Sequence, residues 1–324
     1  MARREDTEGP GKGAVESAGR PFRFGVLVHL WGNRQQWITK ARKLEALGYS
    51  TFLLPDHLEE QFGAIPAIAT AAEATTMLRF GSFVFSNDFR HPVLLAKDVA
   101  TLDLFTGGRF ELGLGAGWRQ REYEQAGITY DHASVRLSRL EEALRVLKEL
   151  FSDEPATFSG NSYAVSDLVG APKPAQQPHP PILVGGGGRR ILSIAAREAD
   201  IVGLSVRARS DGQDWSTATA AATAQKLDWI RQAAGDRFDE LELNVMVYAP
   251  IVTEERPQVA RQLVARYELT EDEVLGSPHF LIGSVEQIGE DLQRHRERHG
   301  TSYFVVPEVF SEAFSPVVAR LAGK

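Results

Sequence analysis

Apolar positions along the chain fall into eight short runs, each followed by a longer stretch with helical periodicity. The runs cover residues 22–29, 50–55, 79–85, 109–115, 180–186, 200–206, 241–250 and 302–308. Strands that alternate with amphipathic helices indicate a parallel sheet surrounded by helices. Eight such units over about 285 residues favour an α/β fold of the (β/α)8 TIM-barrel type. The alternative is an open, Rossmann-like sheet.

Capping residues mark several of the helices between these runs. Asn33 precedes one helical stretch, and Gly48 follows it. Pro92 begins a second stretch, and Gly107 follows that one. Polar caps and proline are typical of helix starts, whereas glycine is typical of the residue after the end. A third helix, over residues 136–151, repeats apolar residues at a helical spacing that predicts packing against the barrel.

Two insertions interrupt the alternation, one after strand 4 and one after strand 7. The first contains "TFSGNSYAV", which predicts a hairpin around Gly160 and Asn161. The second, residues 251–283, contains a helical stretch and the less regular "TEDEVLGSPHFLIGS". Residues 1–20 lack apolar periodicity, so we expect a disordered tail there and a single barrel domain over residues 21–324.

Composition excludes several classes of function. The 324 residues are 43% apolar and 24% charged, as in a globular protein, and contain no cysteine, which rules out disulfides and thiolate chemistry. A net charge of -7 without a long basic run argues against nucleic-acid binding. No apolar run approaches the roughly 20 residues that span a bilayer, and the first twenty residues lack the apolar centre of a signal peptide. We therefore expect a cytoplasmic protein that binds neither nucleic acid nor membrane.

A run of four glycines, in "LVGGGGRRI", ends the fifth predicted strand. Gly185, Gly186, Gly187 and Gly188 are followed by Arg189, which opens a helical pattern. Free backbone amides at a helix N-terminus attract anions, so this stretch is a candidate phosphate site. The spacing fits neither G-x-G-x-x-G nor a P-loop. The alternative without a ligand is a tight turn that needs glycine.

Two further clusters follow predicted strands, where barrel enzymes place their sites. Asp56 and His57 come after the second strand, and a histidine there can carry a proton. A helix-capping aspartate beside a loop histidine is the alternative. The fourth strand ends in a second glycine cluster, "GLGAGW", which could either approach a ligand or form a flexible loop.

Other candidates carry weaker signals. Phe83, Phe85 and Asn87 follow the third strand and by themselves predict barrel filling. His295 and His299 have the i, i+4 spacing of zinc ligands, but the glutamate is misplaced for H-E-x-x-H and the neighbouring charges indicate a solvated helix. We therefore expect no metal. His29 ends the first strand, where a packed or exposed histidine is the simpler interpretation.

Three of these stretches together resemble the bacterial luciferase-like superfamily, in particular its deazaflavin F420-dependent oxidoreductases. They are "LLPDHLEEQFG", "SNDFRHPVLLAKDVATLDLFTGGRFELGLGAGW" and "PPILVGGGGRRILSIAAREADIVG", in the family's order and spacing. The resemblance covers residues 22 to about 308. It implies a (β/α)8 barrel that binds F420 or FMN at its C-terminal rim, as a homodimer.

The resemblance also implies roles for individual residues. A bulge after strand 3, with a cis peptide at Phe83–Val84, would support the cofactor ring. The loops after strands 4 and 5 and the helix start after strand 4 would hold the phosphate. Asp56 and His57 would be catalytic, and the cofactor would be bound by Phe83, Val84, Phe85, Asn87, Gly115, Ala116, Gly117, Trp118, Arg136, Gly185, Gly186, Gly187, Gly188 and Arg189.

Asp-His after strand 2 is similar to F420-dependent members, whereas oxygen-using flavin members commonly carry Glu-His-His. We therefore expect hydride transfer between F420 and a small organic substrate. Trp118 stands where the family's sugar-phosphate dehydrogenases carry a glutamate, which argues against that substrate class. The alternatives are an FMN-dependent monooxygenase that uses oxygen and a partner reductase, and a non-catalytic flavin-binding barrel.

Overall fold

A computed structural model describes residues 19–29, 32–59, 61–210 and 212–324 of the chain. The predicted N-terminal tail lies outside the described residues, apart from its last two positions.

Eight parallel strands form a closed barrel. They are β1 (Arg23–Leu27), β2 (Thr51–Leu54), β3 (Arg79–Ser82), β4 (Phe110–Gly115), β5 (Ile182–Gly186), β6 (Ile201–Leu204), β7 (Glu242–Met246) and β8 (Thr301–Pro307). The strand order in the barrel is β3-β2-β1-β8-β7-β6-β5-β4, and β3 also pairs with β4, which closes the sheet. Every pairing in the barrel is parallel. The predicted (β/α)8 barrel is therefore confirmed.

Helices connect the strands. They are α1 (Arg34–Ala46), α2 (Ala64–Ala72), α3 (Pro92–Phe105), α4 (Gln120–Ala126), α5 (Ala133–Phe151), α6 (Arg189–Glu198), α7 (Ala220–Ala234), α8 (Arg256–Tyr267), α9 (Glu271–Gly276), α10 (Val285–His299) and α11 (Ser311–Leu321). The predicted caps are present. The Asn33 side chain accepts a hydrogen bond from the amide of Gln36 at 2.9 Å, and the Gln36 side chain accepts one from the amide of Asn33. Pro92 is the first residue of α3.

The third barrel strand is interrupted by a bulge. Regular pairing ends at Ser82 and resumes at Phe85–Ser86, and the Phe83–Val84 peptide between them is cis, as predicted. The neighbouring strand β4 makes room for the bulge with glycines. A Cβ at Gly113 would lie 1.9 Å from the carbonyl oxygen of Ser82, and one at Gly115 would lie 2.6 Å from a methyl carbon of Val84.

The insertions are partly as predicted. After β4, residues 156–159 and 164–168 form the expected antiparallel hairpin. The predicted strand 241–250 is wrong at its end, because β7 stops at Met246 and a separate strand, Ala249–Val252, pairs in parallel with Phe280–Gly283. The amide of Tyr248 donates to the carbonyl of His279 at 2.8 Å, so the chain leaves the barrel there. The "less regular" stretch thus contains α9 and this second strand.

A second hairpin, which the sequence analysis did not predict, follows β6. It pairs Arg207–Arg209 with Gly212–Asp214.

Ion pairs close the N-terminal end of the barrel. The guanidinium of Arg23 donates to both carboxylate oxygens of Glu242 at 2.6 and 2.7 Å and to Glu111 at 2.6 Å, and Arg79 also donates to Glu111. Arg23 also lies 3.6 Å over the ring of Tyr303. Although burial raises the pKa of Glu111, the two arginines lower it below its usual range. Apolar side chains fill the barrel above this layer, so the C-terminal end is left for a ligand.

Helix α10 carries two histidines that the fold buries. His295 and His299 are 8% and 6% exposed, and their rings stack at 5.9 Å, so the solvated helix expected at these positions is wrong. Burial, with the adjacent positive groups, lowers the pKa of His295 to about 4. Burial also lowers the pKa of His279, which immediately precedes the strand Phe280–Gly283, to about 3. His279 and His295 are therefore uncharged in the folded protein at neutral pH.

These shifts predict acid destabilisation. Between pH 6.5 and pH 4 the unfolded chain binds protons at His279 and His295 that the folded chain does not bind, so the free energy of unfolding falls with pH. Each histidine steepens the fall by up to about 1.4 kcal/mol per pH unit. Urea unfolding at several pH values measures the slope, and we expect it to be shallower in His295→Gln. An identical slope in wild type and His295→Gln, with His132→Gln as the exposed control, would contradict this account.

Candidate functional site

A cavity of about 770 Å³ lies at the carboxyl ends of the barrel strands. Most of the residues that the resemblance implies line it. They are His57, Phe83, Val84, Gly115, Ala116, Gly117, Trp118, Arg136, Gly185, Gly186, Gly187, Gly188 and Arg189.

The four consecutive glycines form one wall of the cavity, and they serve different purposes. A Cβ at Gly187 would lie 2.4 Å from the amide nitrogen of Arg207, and one at Gly186 would lie 2.6 Å from a methyl carbon of Ile191. These two positions therefore need glycine for packing. A Cβ at Gly188 would meet nothing within 4 Å. Gly188 precedes α6 without any side-chain cap, so the first amides of that helix are available to an anion at the cavity wall.

The two arginines after the glycines differ in their contacts. Arg190 donates to the carbonyl of Ser134 at 2.9 Å and to the hydroxyl of Ser138 at 2.7 Å, so it ties α6 to α5. Arg189 lines the cavity, is exposed, and has no hydrogen-bond or ion-pair partner among the described residues. Its guanidinium is thus free to pair with an anion at the N-terminus of α6.

Arg136 is buried and holds the loop after β4. Its guanidinium donates to the carbonyls of Ala116 and Gly117 at 3.3 Å and to that of Asp131 at 2.5 Å. It also lies 4.0 Å over the ring of Tyr130. Because no carboxylate is among these partners, Arg136 fixes the loop and still brings its positive charge to the cavity.

His57 lines the cavity from the segment after β2. Its Nδ1 lies 3.0 Å from a carboxylate oxygen of Glu122, a buried residue of α4, and its ring meets that of Trp118 edge-on at 6.1 Å. When Nδ1 carries a hydrogen that donates to Glu122, the neutral ring keeps its lone pair at Nε2. The sequence analysis missed Glu122, which the stretch "GWRQREYEQAG" contains without any distinguishing motif.

Asp56 is separate from His57 in its contacts and does not line the large cavity. Its two carboxylate oxygens accept hydrogen bonds from Arg90 at 2.6 and 3.0 Å, and one of them also accepts from the amide of Ser86 at 3.0 Å. Asp56 therefore ties the end of β2 to the segment after the bulge. Asp56 and His57 nevertheless line the same smaller pocket of about 110 Å³, together with Glu122. The expectation that both are catalytic stays a prediction.

Phe85 and Asn87 also lie behind the cavity lining. Phe85 is fully buried beneath the guanidinium of Arg90, 4.8 Å from its ring. Asn87 is buried and donates from Nδ2 to the hydroxyl of Tyr163 at 3.1 Å. Of the residues expected around the bulge, Phe83 and Val84 are the ones that reach the cavity.

The sequence analysis missed several residues that line the cavity, and it interpreted His29 as a packed or exposed histidine. His29 lines the cavity, and burial together with the nearby His57 lowers its pKa. Arg207 and Gln213 reach the cavity from the hairpin after β6, and Tyr248 reaches it from the turn after β7. The Asp-Gly pair at 211–212 is a hairpin signal that could have revealed the first of these elements.

The two halves of the cavity differ in charge. The half built by the segments after β4, β5 and β6 carries arginines at positions 136, 189, 190 and 207. Arg119 also lines the cavity, but it pairs with Glu59 and with Glu122, the partner of His57. The half built by β7, β8, β1 and β2 presents apolar side chains and the uncharged polar groups of histidine and tyrosine, namely Leu27, His29, Pro55, His57, Met246, Tyr248 and Pro307. A ligand with one anionic end and one neutral end matches this division.

Within the ranges that the structure covers, no three histidine, aspartate or glutamate side chains are grouped to hold a metal ion. No helix in those ranges is long and apolar enough to cross a membrane.

Comparison with known proteins agrees with this geometry. The chain is 28% identical over 233 residues to an FMNH2-dependent dimethylsulfone monooxygenase of Pseudomonas putida, which covers 68% of the chain and 61% of that protein. It is 30% identical over 164 residues to an F420-dependent glucose-6-phosphate dehydrogenase of Microbacterium testaceum, which covers 48% of each. The chain thus spans less than two thirds of either curated relative.

The fold is also that of a coenzyme F420-dependent tetrahydromethanopterin reductase from Methanopyrus kandleri. The TM-score is 0.73 at 15% identity, over 93% of this chain and 98% of that one. The family model described as luciferase-like monooxygenase matches residues 21–321. The chain therefore belongs to the luciferase-like monooxygenase family.

Proposed function

We propose that this chain is an F420-dependent oxidoreductase that transfers a hydride between F420 and a small organic substrate. The observation that carries the proposal is the pairing of His57 with Glu122 at the neutral half of a cavity whose other half is glycine-lined and basic. When bound, F420 would supply or accept the hydride at its deazaflavin ring.

The residues present fit a cofactor of this kind. Gly188 leaves open space beside uncapped helix amides, and Arg189, which has no partner in the described part of the chain, adds a cation at the same place. These groups would hold the phosphate, with Arg136 contributing charge from the loop after β4. The bulge at Phe83 and Val84 would support the ring.

In this proposal His57 handles the proton that accompanies hydride transfer. In the direction of substrate reduction, the imidazolium donates from Nε2 to the substrate oxygen or nitrogen. In the opposite direction, the neutral ring accepts that proton at Nε2. Glu122 accepts the Nδ1 hydrogen, which orients the ring. Asp56 acts as a positioning residue through Arg90. The ring of Trp118 packs edge-on against that of His57.

One sequence feature favours F420 as the cofactor, whereas one comparison favours FMN. Asp56-His57 resembles the F420-dependent branch of the family. The relative that matches the larger share of the chain is FMNH2-dependent. The second candidate is therefore an FMN-dependent monooxygenase that takes reduced FMN from a partner reductase and reacts it with oxygen.

Cofactor titration separates these candidates. We expect the purified chain to quench F420 fluorescence on binding and to bind FMN at least about tenfold more weakly, which corresponds to about 1.4 kcal/mol. Reduced F420 should then be reoxidised by at least one compound in a panel of unsaturated compounds and imines. Tight FMN binding without F420 binding, together with oxygen consumption on adding reduced FMN, would instead support the monooxygenase.

Substitution of the His57 pair tests the proton role. We expect His57→Gln to lower kcat by about 10²-fold to 10⁴-fold, the range of general acid-base catalysis. Glu122→Gln should lower kcat less, because the ring loses its orienting partner but keeps Nε2. Both variants should retain the F420 affinity of the wild type.

Glu124→Gln, an exposed change on the same helix, is the matched control and should have the wild-type kcat. A barrel that binds cofactor tightly but shows no turnover, with or without His57, would support the non-catalytic alternative.

A further inference from the structure

The smaller pocket of about 110 Å³ adjoins the large cavity at His57, which lines both. Glu122, whose carboxylate meets the Nδ1 atom of His57, lines this smaller pocket and is not among the described residues that line the large cavity. Asp56, Ser86 and Tyr123 line the smaller pocket as well. Polar groups of three segments thus surround the carboxylate on which the orientation of His57 depends.

The carboxylate of Glu122 has one oxygen that lacks a hydrogen bond. Both oxygens lie 3.0 Å from His57 Nδ1, and Oε2 is the one aligned for the hydrogen bond there. Oε1 is buried and accepts no hydrogen bond from any residue that the structure describes. Its ion pair with Arg119 spans 3.6 Å, which exceeds hydrogen-bond length. A buried carboxylate oxygen without a hydrogen bond is costly, so Oε1 needs a further donor.

The hydroxyl groups of the smaller pocket provide both a donor and an acceptor. The Tyr123 hydroxyl donates to Asp88 at 3.1 Å, and burial raises the pKa of Tyr123, so its oxygen stays a neutral acceptor. The Ser86 hydroxyl lies 3.4 Å from that of Tyr123, a long contact that leaves its hydrogen able to turn elsewhere. The Asp56 oxygens already accept from Arg90 and from the Ser86 amide.

These groups fit a buried water. A volume of about 110 Å³ holds roughly three water molecules at liquid density, and a buried water makes about three hydrogen bonds. A water that accepts the hydrogen of Ser86 and donates to Glu122 Oε1 and to the Tyr123 oxygen would make that number. Each bond in this arrangement joins one donor to one acceptor, and the buried oxygen of Glu122 gains its partner.

Such a water would also hold Glu122 on His57. Arg119 and His57 compete for the carboxylate of Glu122, at 3.6 and 3.0 Å, and Arg119 pairs with Glu59 as well. A water bonded to Oε1 takes the lone pair that Arg119 would otherwise attract, so Oε2 stays on Nδ1. The ring of His57 then keeps its hydrogen at Nδ1 and its lone pair at Nε2.

We propose that the smaller pocket binds water, and that Ser86, acting through a water held against Glu122, is a positioning residue for His57. This inference rests on the proposed function for the use that the reaction makes of His57. The water and the tautomer of the ring are nevertheless measurable without turnover, so the two proposals are tested separately.

The tautomer of His57 is the first readout. In protein labelled with ¹⁵N-histidine, at a pH at which the ring is neutral, long-range ¹H–¹⁵N spectra show which nitrogen carries the hydrogen. The spectrum of His57→Gln identifies the His57 signal among the eight histidines. We expect mainly the Nδ1–H tautomer in the wild type and a mixture of tautomers in Ser86→Ala. Ser86→Thr, which keeps the hydroxyl, should have the wild-type tautomer.

Removal of the competing cation separates this mechanism from a general disturbance of the bulge. Ser86→Ala/Arg119→Gln should recover the wild-type tautomer, because no guanidinium then draws Glu122 from the ring. Ser315→Ala is the matched control, since it removes a hydroxyl that bonds within α11, and it should leave the tautomer unchanged.

A crystal structure of the wild type tests the water itself. We expect a water oxygen within about 3.2 Å of both Glu122 Oε1 and the Ser86 hydroxyl. Where turnover is measurable, Ser86→Ala should lower kcat by about twofold to tenfold, as the loss of one hydrogen bond of ordinary strength does, and leave KM at the wild-type value.

A pocket without water at Glu122, or an Nδ1–H tautomer that persists in Ser86→Ala, would overturn the positioning role and leave the F420-dependent function standing. A mixture of tautomers that persists in the double variant would also overturn it, because Ser86 would then act through the fold of the bulge. The expected water and tautomers in a protein that binds FMN and not F420 would support the water site and overturn the proposed function.

Discussion

The site depends on one steric constraint, which is the contact of backbone with backbone at the C-terminal rim of the barrel. At Gly113 a side chain would collide with the carbonyl of Ser82, and at Gly187 it would collide with the amide of Arg207. The first contact seats the bulge that brings Phe83 and Val84 to the cavity. The second seats the hairpin after β6 against the glycine wall. The glycine clusters in the sequence are therefore required for packing as well as for any approach of a ligand. Glycines of both clusters line the cavity.

Charge is then divided across the cavity by the order of the strands. Segments after β4, β5 and β6 supply the arginines, whereas β7, β8, β1 and β2 supply apolar side chains and the two histidines. The ion pairs of Arg23 and Glu111 lie at the opposite end of the barrel, so they stabilise the floor without acting on the ligand. An anionic end and a neutral end of a ligand can thus be bound by different strands, and His57, which follows β2, lies on the neutral side.

The sequence predicts the barrel because every strand repeats a local apolar pattern, and it predicts the glycine clusters because their glycines are adjacent in the chain. It does not predict the roles of Asp56 and Glu122, because their partners are 34 and 65 residues away and follow from how the loops pack. Asp56 stands beside His57 in the chain, yet Arg90 takes its carboxylate. The strand after residue 246 was missed for a related reason, since both pieces of "LELNVMVYAP" are equally apolar and only the pairing with Phe280–Gly283 separates them.

The most direct measurement of the central claim, that the glycine wall and Arg189 hold the phosphate of the cofactor, is the F420 affinity of Arg189→Glu. The account predicts a rise in Kd of more than about tenfold, because the reversal replaces an attraction by a repulsion at the uncapped end of α6. The thermal stability should stay that of the wild type, since Arg189 is exposed and has no partner among the described residues. An unchanged Kd in a folded Arg189→Glu protein would contradict the account.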